Sequence, residues 1–290
     1  MMAMLGCLSG LVSAGAQVPD VPALQRPQVV PKLTPDGRFA YAGTPDGWLT
    51  RYDPSTLAVL ARVRTGTETP SLAISADGRW VLVASTPPAA LTLFDANLQV
   101  VRAYPLTTQG GKAASRVASV FEAPSRRSFI VALQDIAELW EISYDPRAEP
   151  IYEGLVHDYR MGEGLATPGF LGIRRTPLEE PLDMFFLDGA GRHILGATRA
   201  KGARATDVQV INLDVRRRVA SFSLPSAPSR AASVTVLRNG QELLAIPNAQ
   251  DGCLTLVDIS TWKVVRPATA PESPSSGTAC KTAPAGYRTP

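Results

Sequence analysis

Histidine and cysteine do much of the chemistry that proteins perform near neutral pH, and this 290-residue chain has few of either. The histidines are His157 and His193, and the cysteines are Cys7, Cys253 and Cys280. His157 sits in LVHDYRMGEG, within the densest mixture of charges in the chain. A histidine there is a candidate general base, proton donor or axial ligand to a haem iron, with Asp158 fixing the ring tautomer. The competing reading is a loop histidine that holds its own segment by hydrogen bonds. His193, in GRHILGAT, alternates with apolar residues after a turn and reads as a half-buried strand residue. Glu122, in VFEAP, is either a pocket carboxylate or a structural one, and the structural reading stands first.

Most familiar chemistries are missing. The cysteines show no paired spacing, and no Cys-x-x-Cys-His is present to attach a c-type haem. Two histidines 36 residues apart do not make a zinc site on their own. Nucleophile elbows, phosphate-binding loops, dinucleotide fingerprints and His-Glu-x-x-His are all absent. The net charge of +3 is small and its cations are scattered, so nothing resembles a nucleic-acid footprint. The run Arg216, Arg217, Arg218 reads as a solvated turn.

The elements that must position these residues repeat. A turn followed by an apolar strand recurs as PDGRFAYAG, ADGRWVLVAS, PSRRSFIVAL, GAGRHILGAT and RNGQELLAIP. Each is followed by a strand that ends near Asp53, Asp95, Asp145, Asp214 or Asp258, and then by another strand. The Asp-to-Asp intervals run from 42 to 69 residues, and the longest contains an excursion at 145–187 with His157 inside it. Units of this length with three or four alternating strands are propeller blades. In the Asp-Gly-Arg turns, Gly supplies positive φ and Asp accepts backbone N–H bonds. The sequence therefore predicts an all-β chain of about five blades, with any helix confined to 145–187 or to the N-terminus.

Both ends differ from the repeat. Residues 1–16, MMAMLGCLSGLVSAGA, read as a short signal peptide with Ala14-Gly15-Ala16 as its cleavage site, although they lack a basic start. That predicts export to the periplasm. Residues 266–290 carry almost no large apolar side chains and are predicted to be disordered.

The segments WEISYDPRAEPIYEGLVHDYRMGEG and RRTPLEEPLD carry a resemblance to the d1-type β-propeller family. That is the propeller of dihydro-haem d1 dehydrogenase and, more distantly, of cytochrome cd1 nitrite reductase, proteins of denitrification. The similarity runs over roughly residues 27–265. It implies an eight-bladed fold, of which this chain supplies about five blades between 17 and 265. It also implies a haem c domain ahead of the propeller that this sequence lacks.

The resemblance also implies a function. The ligand would be haem d1 or its dihydro precursor, with no covalent haem c, and the activity an oxidoreductase step of haem d1 maturation. His157 would accept a proton, and Arg116, Arg160, Arg174 and Arg175 would face the carboxylates of the tetrapyrrole. Electrons would leave to a separate c-type cytochrome, with no nucleic acid and no transmembrane helix involved. The alternative for the arginines is a set of salt bridges to Glu163, Glu179 and Glu180. The family's pattern also breaks here. Gln28 and Ser229 stand where it has histidines, Pro70 where it has an arginine nearby, and Thr86 where it has a tyrosine nearby. These departures support a second reading, a non-catalytic or degenerate propeller that binds a tetrapyrrole or a protein partner only. Deleting residues 268–290 should leave the thermal midpoint nearly unchanged; a fall of many degrees would show that the tail packs on a blade.

Overall fold

Alternation along each strand decides which neighbour a side chain meets. In Trp80–Thr86, Val81 and Val83 join one buried cluster while Leu82 and Ala84 join another. In Ser128–Leu133, Phe129, Val131 and Leu133 face one side while Ile130 and Ala132 face the other. Strands buried on both faces read as continuous apolar runs, as SFIVAL does. Such a sheet must be covered on both sides by other sheets.

The computed structural model describes residues 31–44, 46–152, 166–188, 190–198, 206–224, 228, 234–238, 240–248 and 254–265. They form five four-stranded antiparallel sheets, each built from consecutive strands. Blade one is β1 (Lys32–Leu33), β2 (Ala40–Gly43), β3 (Trp48–Tyr52) and β4 (Val59–Arg64). Blade two is β5 (Glu68–Ile74), β6 (Trp80–Thr86), β7 (Ala90–Asp95) and β8 (Val100–Tyr104). Blade three is β9 (Val117–Ala123), β10 (Ser128–Leu133), β11 (Glu138–Ser143) and β12 (Ile173–Pro177). Blade four is β13 (Leu182–Leu187), β14 (His193–Thr198), β15 (Thr206–Asn212) and β16 (Arg217–Leu224). Blade five is β17 (Val234–Arg238), β18 (Gln241–Pro247), β19 (Leu254–Asp258) and β20 (Lys263–Val265).

The first strands lie innermost: β5 packs against β9, and β9 against β13. The fourth strands lie outermost and are mostly exposed, as the patterns of β4 and β8 show. Four buried clusters fill the four seams between successive blades. In the seam between blades two and three, Leu82, Leu91, Leu93, Phe129 and Trp140 are fully buried. Burial of those five side chains stabilises on the order of 10 kcal/mol. That outweighs any one hydrogen bond across the seam, at about 1 kcal/mol.

The turns follow the expected chemistry. Thr34 and Ser75 donate backbone N–H groups to the carbonyls of Phe39 and Trp80, and Gly37 and Gly78 sit at φ +69° and +67°. Asp36 and Asp77 accept from the amides of Arg38 and Arg79. Between the third and fourth strands, Asp53, Asp95, Asp145 and Asp258 each accept from the amide two residues on. Blade four differs: Asn212 takes that role, accepting from the amides of Asp214 and Val215. Asp214 is thereby left to make a contact outside its own turn.

Two features depart from the sequence reading. The excursion is shorter than 145–187, because Ile173–Pro177 completes blade three and Leu182–Leu187 opens blade four. Charges in RRTPLEE mask that strand, since an outermost strand needs little apolar character. The helical turn described is a single 3₁₀ turn at Pro124–Arg126, outside the spans predicted for helix. Proline fixes φ at its start, and Arg127 ends it in the left-handed region. The segments predicted as a signal peptide and as a disordered tail lie outside the described residues.

Gly47 tests the packing at the opposite end of the blade. It lies at φ +76°, and an added Cβ would fall 1.9 Å from the carbonyl oxygen of Gly66. Gly37, at a similar φ, has open space around it. Gly47→Ala should cost about 3 kcal/mol or more, and Gly37→Ala about 1 kcal/mol. Denaturant midpoints of the two variants measure the difference.

Candidate functional site

In a four-stranded meander the first-to-second and third-to-fourth turns share one rim. Here that rim carries a repeating joint between neighbouring blades. Tyr41 Oη and Arg51 Nη1 of blade one donate to the carbonyl of Ala96, in the third-to-fourth turn of blade two, at 2.8 and 2.6 Å. Trp80 of blade two meets Phe170 of blade three edge-on, with centroids 6.2 Å apart. Arg126 of blade three reaches Asp214 of blade four at 2.6 Å. His193 of blade four meets Trp262 of blade five at 5.0 Å. Each joint uses the third-to-fourth turn of the next blade, and in blade three that turn is the excursion.

The stem of the excursion is therefore well held. Ser143 bridges to Phe170, and Ile151 to Thr167. The Leu171 carbonyl accepts from Tyr104 Oη at 3.0 Å and Arg102 Nη1 at 2.9 Å, both from blade two. On the other side, toward blade four, a groove of about 350 Å³ runs between stem and blade, lined by Arg126, Glu141, Asp145, Ile151 and Arg174 among others. His157 and Arg160, predicted as proton acceptor and carboxylate partner, lie outside the described residues, as do Asp158, Gln28 and Ser229.

The other three arginines are not brought together. Arg116 precedes β9 on the opposite rim and makes a bidentate pair with Asp135, its Nη2 lying 2.8 Å from Oδ1. Its side chain is 53% exposed. Arg175 faces blade two, bonded to Glu138 at 2.6 Å and to the Thr107 carbonyl, with its guanidinium 4.6 Å above the Trp140 ring. Arg174 points the other way, into the groove beside Glu141, its cross-strand neighbour. No described carboxylate lies within ion-pair distance of Arg174. The expected alternative partners also differ: Glu179 pairs with Arg218.

His193 belongs to a closed network. Its Nδ1 lies 2.8 Å from Asp188 Oδ2 and its Nε2 lies 3.1 Å from Asn212 Nδ2. The amide donates to Nε2, which places the ring proton on Nδ1 against Asp188. This is the structural role expected of it.

A different set converges at the inner ends of the blades on the turn rim. Glu122, near the end of inner strand β9, accepts from Tyr144 Oη at 2.5 Å. The amide of Ala76, in the blade-two turn, donates to the same hydroxyl at 3.2 Å. Lys32 of blade one feels the Glu122 charge from beyond ion-pair distance, and Asp77 feels it from the blade-two turn. Burial pushes the Glu122 carboxyl above its ordinary value, against the opposing effect of the Tyr144 hydrogen bond. Burial and Glu122 together raise the Tyr144 phenol. Burial lowers the Lys32 ammonium, and Glu122 partly restores it. Glu122 was visible in the sequence, but Lys32 and Tyr144 were missed; the available signal was that they border the PDGR turn and Asp145.

Five radial four-stranded sheets with apolar seams define a β-propeller. Its type follows from comparison with known proteins. Residues 21–153 match the profile of the Cytochrome D1 heme domain family. The chain is 37% identical over 237 residues to the dihydro-heme d1 dehydrogenase of Pseudomonas aeruginosa, covering 81% of this chain and 43% of that protein. It is 35% identical over 117 residues to Protein NirF of Stutzerimonas stutzeri, covering 40% of this chain and 30% of that protein. The chain thus spans less than half the length of these curated relatives. Among solved structures, it matches dihydro-heme d1 dehydrogenase NirN in complex with DHE at TM-score 0.67 and 36% identity, covering 82% of this chain and 46% of that one. A β-propeller domain of Cps50 (Swd1) matches at TM-score 0.52 and 17% identity, which shows the fold alone. The propeller is similar to that of dihydro-heme d1 dehydrogenase, and part of it matches the Cytochrome D1 heme domain.

The two kinds of arginine predict different costs. Arg126 is 17% exposed and holds buried Glu141 as well as Asp214. Arg126→Ala leaves Glu141 charged without its partner and should cost about 3 kcal/mol. Arg116→Ala breaks a solvent-screened pair and should cost less than about 1 kcal/mol. Chemical denaturation of both variants distinguishes them.

Proposed function

We propose that this chain is a tetrapyrrole-binding propeller of the haem d1 pathway that acts on dihydro-haem d1 as an oxidoreductase. The observation that carries this is the 37% identity over 237 residues to a dihydro-heme d1 dehydrogenase, together with the match to its ligand complex. The residues present fit such a ligand in one testable respect. A macrocycle with several carboxylates needs cations not already neutralised by protein carboxylates. Arg116, Arg175 and Arg126 are already matched by acids. Arg174, beside the groove at the excursion, and Lys32, at the inner rim, have no carboxylate within ion-pair distance among the described residues, so they are cations free to hold it. His157 and Arg160 complete the set inferred from the resemblance, His157 as proton acceptor. The electrons would go to a separate c-type cytochrome, and the compartment would be the periplasm. No helix among the described residues is long and apolar enough to cross a membrane.

A second reading, a propeller that binds or hands over the tetrapyrrole without turnover, is favoured by one observation. Gln28 and Ser229 stand where the d1 family carries histidines. Titration of the purified protein with haem d1 tests both readings. A spectral change at concentrations on the order of tens of micromolar is expected, and its absence removes both. Turnover with an electron acceptor then separates the first reading from the second. His157→Ala should alter the absorption spectrum or abolish turnover. Arg174→Ala should weaken binding by about 1–3 kcal/mol.

A further inference from the structure

We propose that Glu122 is a catalytic residue, the carboxylate that accepts a proton from the molecule bound at the inner mouth of the blades. The proposal rests on the tetrapyrrole reading above, and the argument is geometric. Glu122 ends the inner strand of blade three, on the rim where Lys32 of blade one and the Ala76–Asp77 turn of blade two converge. Most described acids on this rim are closed off by turn amides or arginines. Asp36 and Asp77 cap turn amides, as do Asp95 and Asp258, while Glu141 and Asp214 are held by Arg126. Glu122 has no arginine or lysine in ion-pair contact among the described residues. It is fixed by the Tyr144 phenol, and the Ala76 amide holds that phenol and also acts on the carboxylate. Tyr144 is fully buried against Phe129, with ring centroids 5.3 Å apart, so the carboxylate is held from a rigid base.

This arrangement suits a proton acceptor better than a structural ion. A carboxylate bound by an arginine fork resists protonation. One held by a neutral phenol, half-buried and near an aspartate, takes up a proton more readily, and burial shifts Glu122 in that direction. Four groups act on it: the Tyr144 phenol, the Ala76 amide and Lys32 favour the ionised form, and Asp77 disfavours it. In the dehydrogenation, two C–H bonds of the dihydro compound give up two protons and two electrons. A C=C bond forms between the two carbons, the Glu122 carboxylate takes one proton and becomes the acid, and the second proton goes to solvent. The electrons are taken by two equivalents of an external one-electron acceptor, an oxidised haem protein.

The test has two arms. Without any tetrapyrrole, carbon-13 NMR of the side-chain carboxyls should place the Glu122 midpoint above the ordinary glutamate value of about 4.3. Lys32→Met and Tyr144→Phe should raise it further, and Asp77→Asn should lower it. A midpoint in the ordinary range, unmoved by Lys32→Met, overturns the proposal whatever the protein binds. With dihydro-haem d1, Glu122→Gln should bind with an affinity close to that of the unaltered protein. Turnover should fall about 100-fold or more, and the limb of its pH profile that reports an ionised carboxylate should disappear. Turnover of Glu122→Gln with an unchanged pH profile also overturns it. A raised midpoint in a protein that gives no spectral response to tetrapyrrole would count against the tetrapyrrole reading and leave Glu122 as a proton-accepting group for another ligand. Lys32→Met keeps the first arm decisive if Glu122→Gln fails to fold.

Discussion

The structure depends on covering the two apolar faces of each twisted sheet. A lone four-stranded sheet with Phe129 and Val131 on one face and Ile130 and Ala132 on the other has no stable place in water. Only another sheet, inclined to the first by its own twist, covers such a face over its whole area. Radial stacking follows from this demand, and the sequence meets it in blades two, three and four by sorting odd and even residues of the second strand into opposite seams. The polar joints on the turn rim add register to the stack. Tyr41 against Ala96, and Arg126 against Asp214, fix how far one blade slides past the next, at energies small beside the apolar burial.

Local pattern carried much of this into the sequence. Turn residues such as Asp36-Gly37 and Asp77-Gly78 act within a few positions of themselves, so the blade count and the strand phases could be read directly. β12 was hidden for the opposite reason: an outer strand with one solvent face has no need of the apolar run that announces a buried one. Blade four also misled in detail, because Asn212 takes the capping role and releases Asp214 to a partner 88 residues away in the chain.

The candidate site was less legible, and for a consistent physical reason. Whether an arginine is matched by an acid is settled by the neighbours that the folded strands and turns bring beside it. Arg175 meets Glu138 through the pairing of β11 with β12, and Arg116 meets Asp135 across 19 residues. Nothing in the spacing of either pair distinguishes them from Arg174, which meets no described acid. Glu122, Tyr144 and Lys32 come from separate strands or turns, and only the radial geometry assembles them. Resemblance to the d1 family singled out a region of the chain, while the division between matched and unmatched charges needed coordinates.

The position of the excursion has a consequence for how such a protein changes over generations. Its ends are stitched by the Ile151–Thr167 and Ser143–Phe170 bridges, and its base is clamped to blade two through the Leu171 carbonyl. Chain inserted or lost between those stitches leaves the seam untouched, so length and composition there drift without a stability penalty to the barrel wall. The clamp residues have no such freedom, since Tyr104 and Arg102 serve a joint that every blade must make. A change of ligand preference made between those stitches does not require the propeller to be rebuilt.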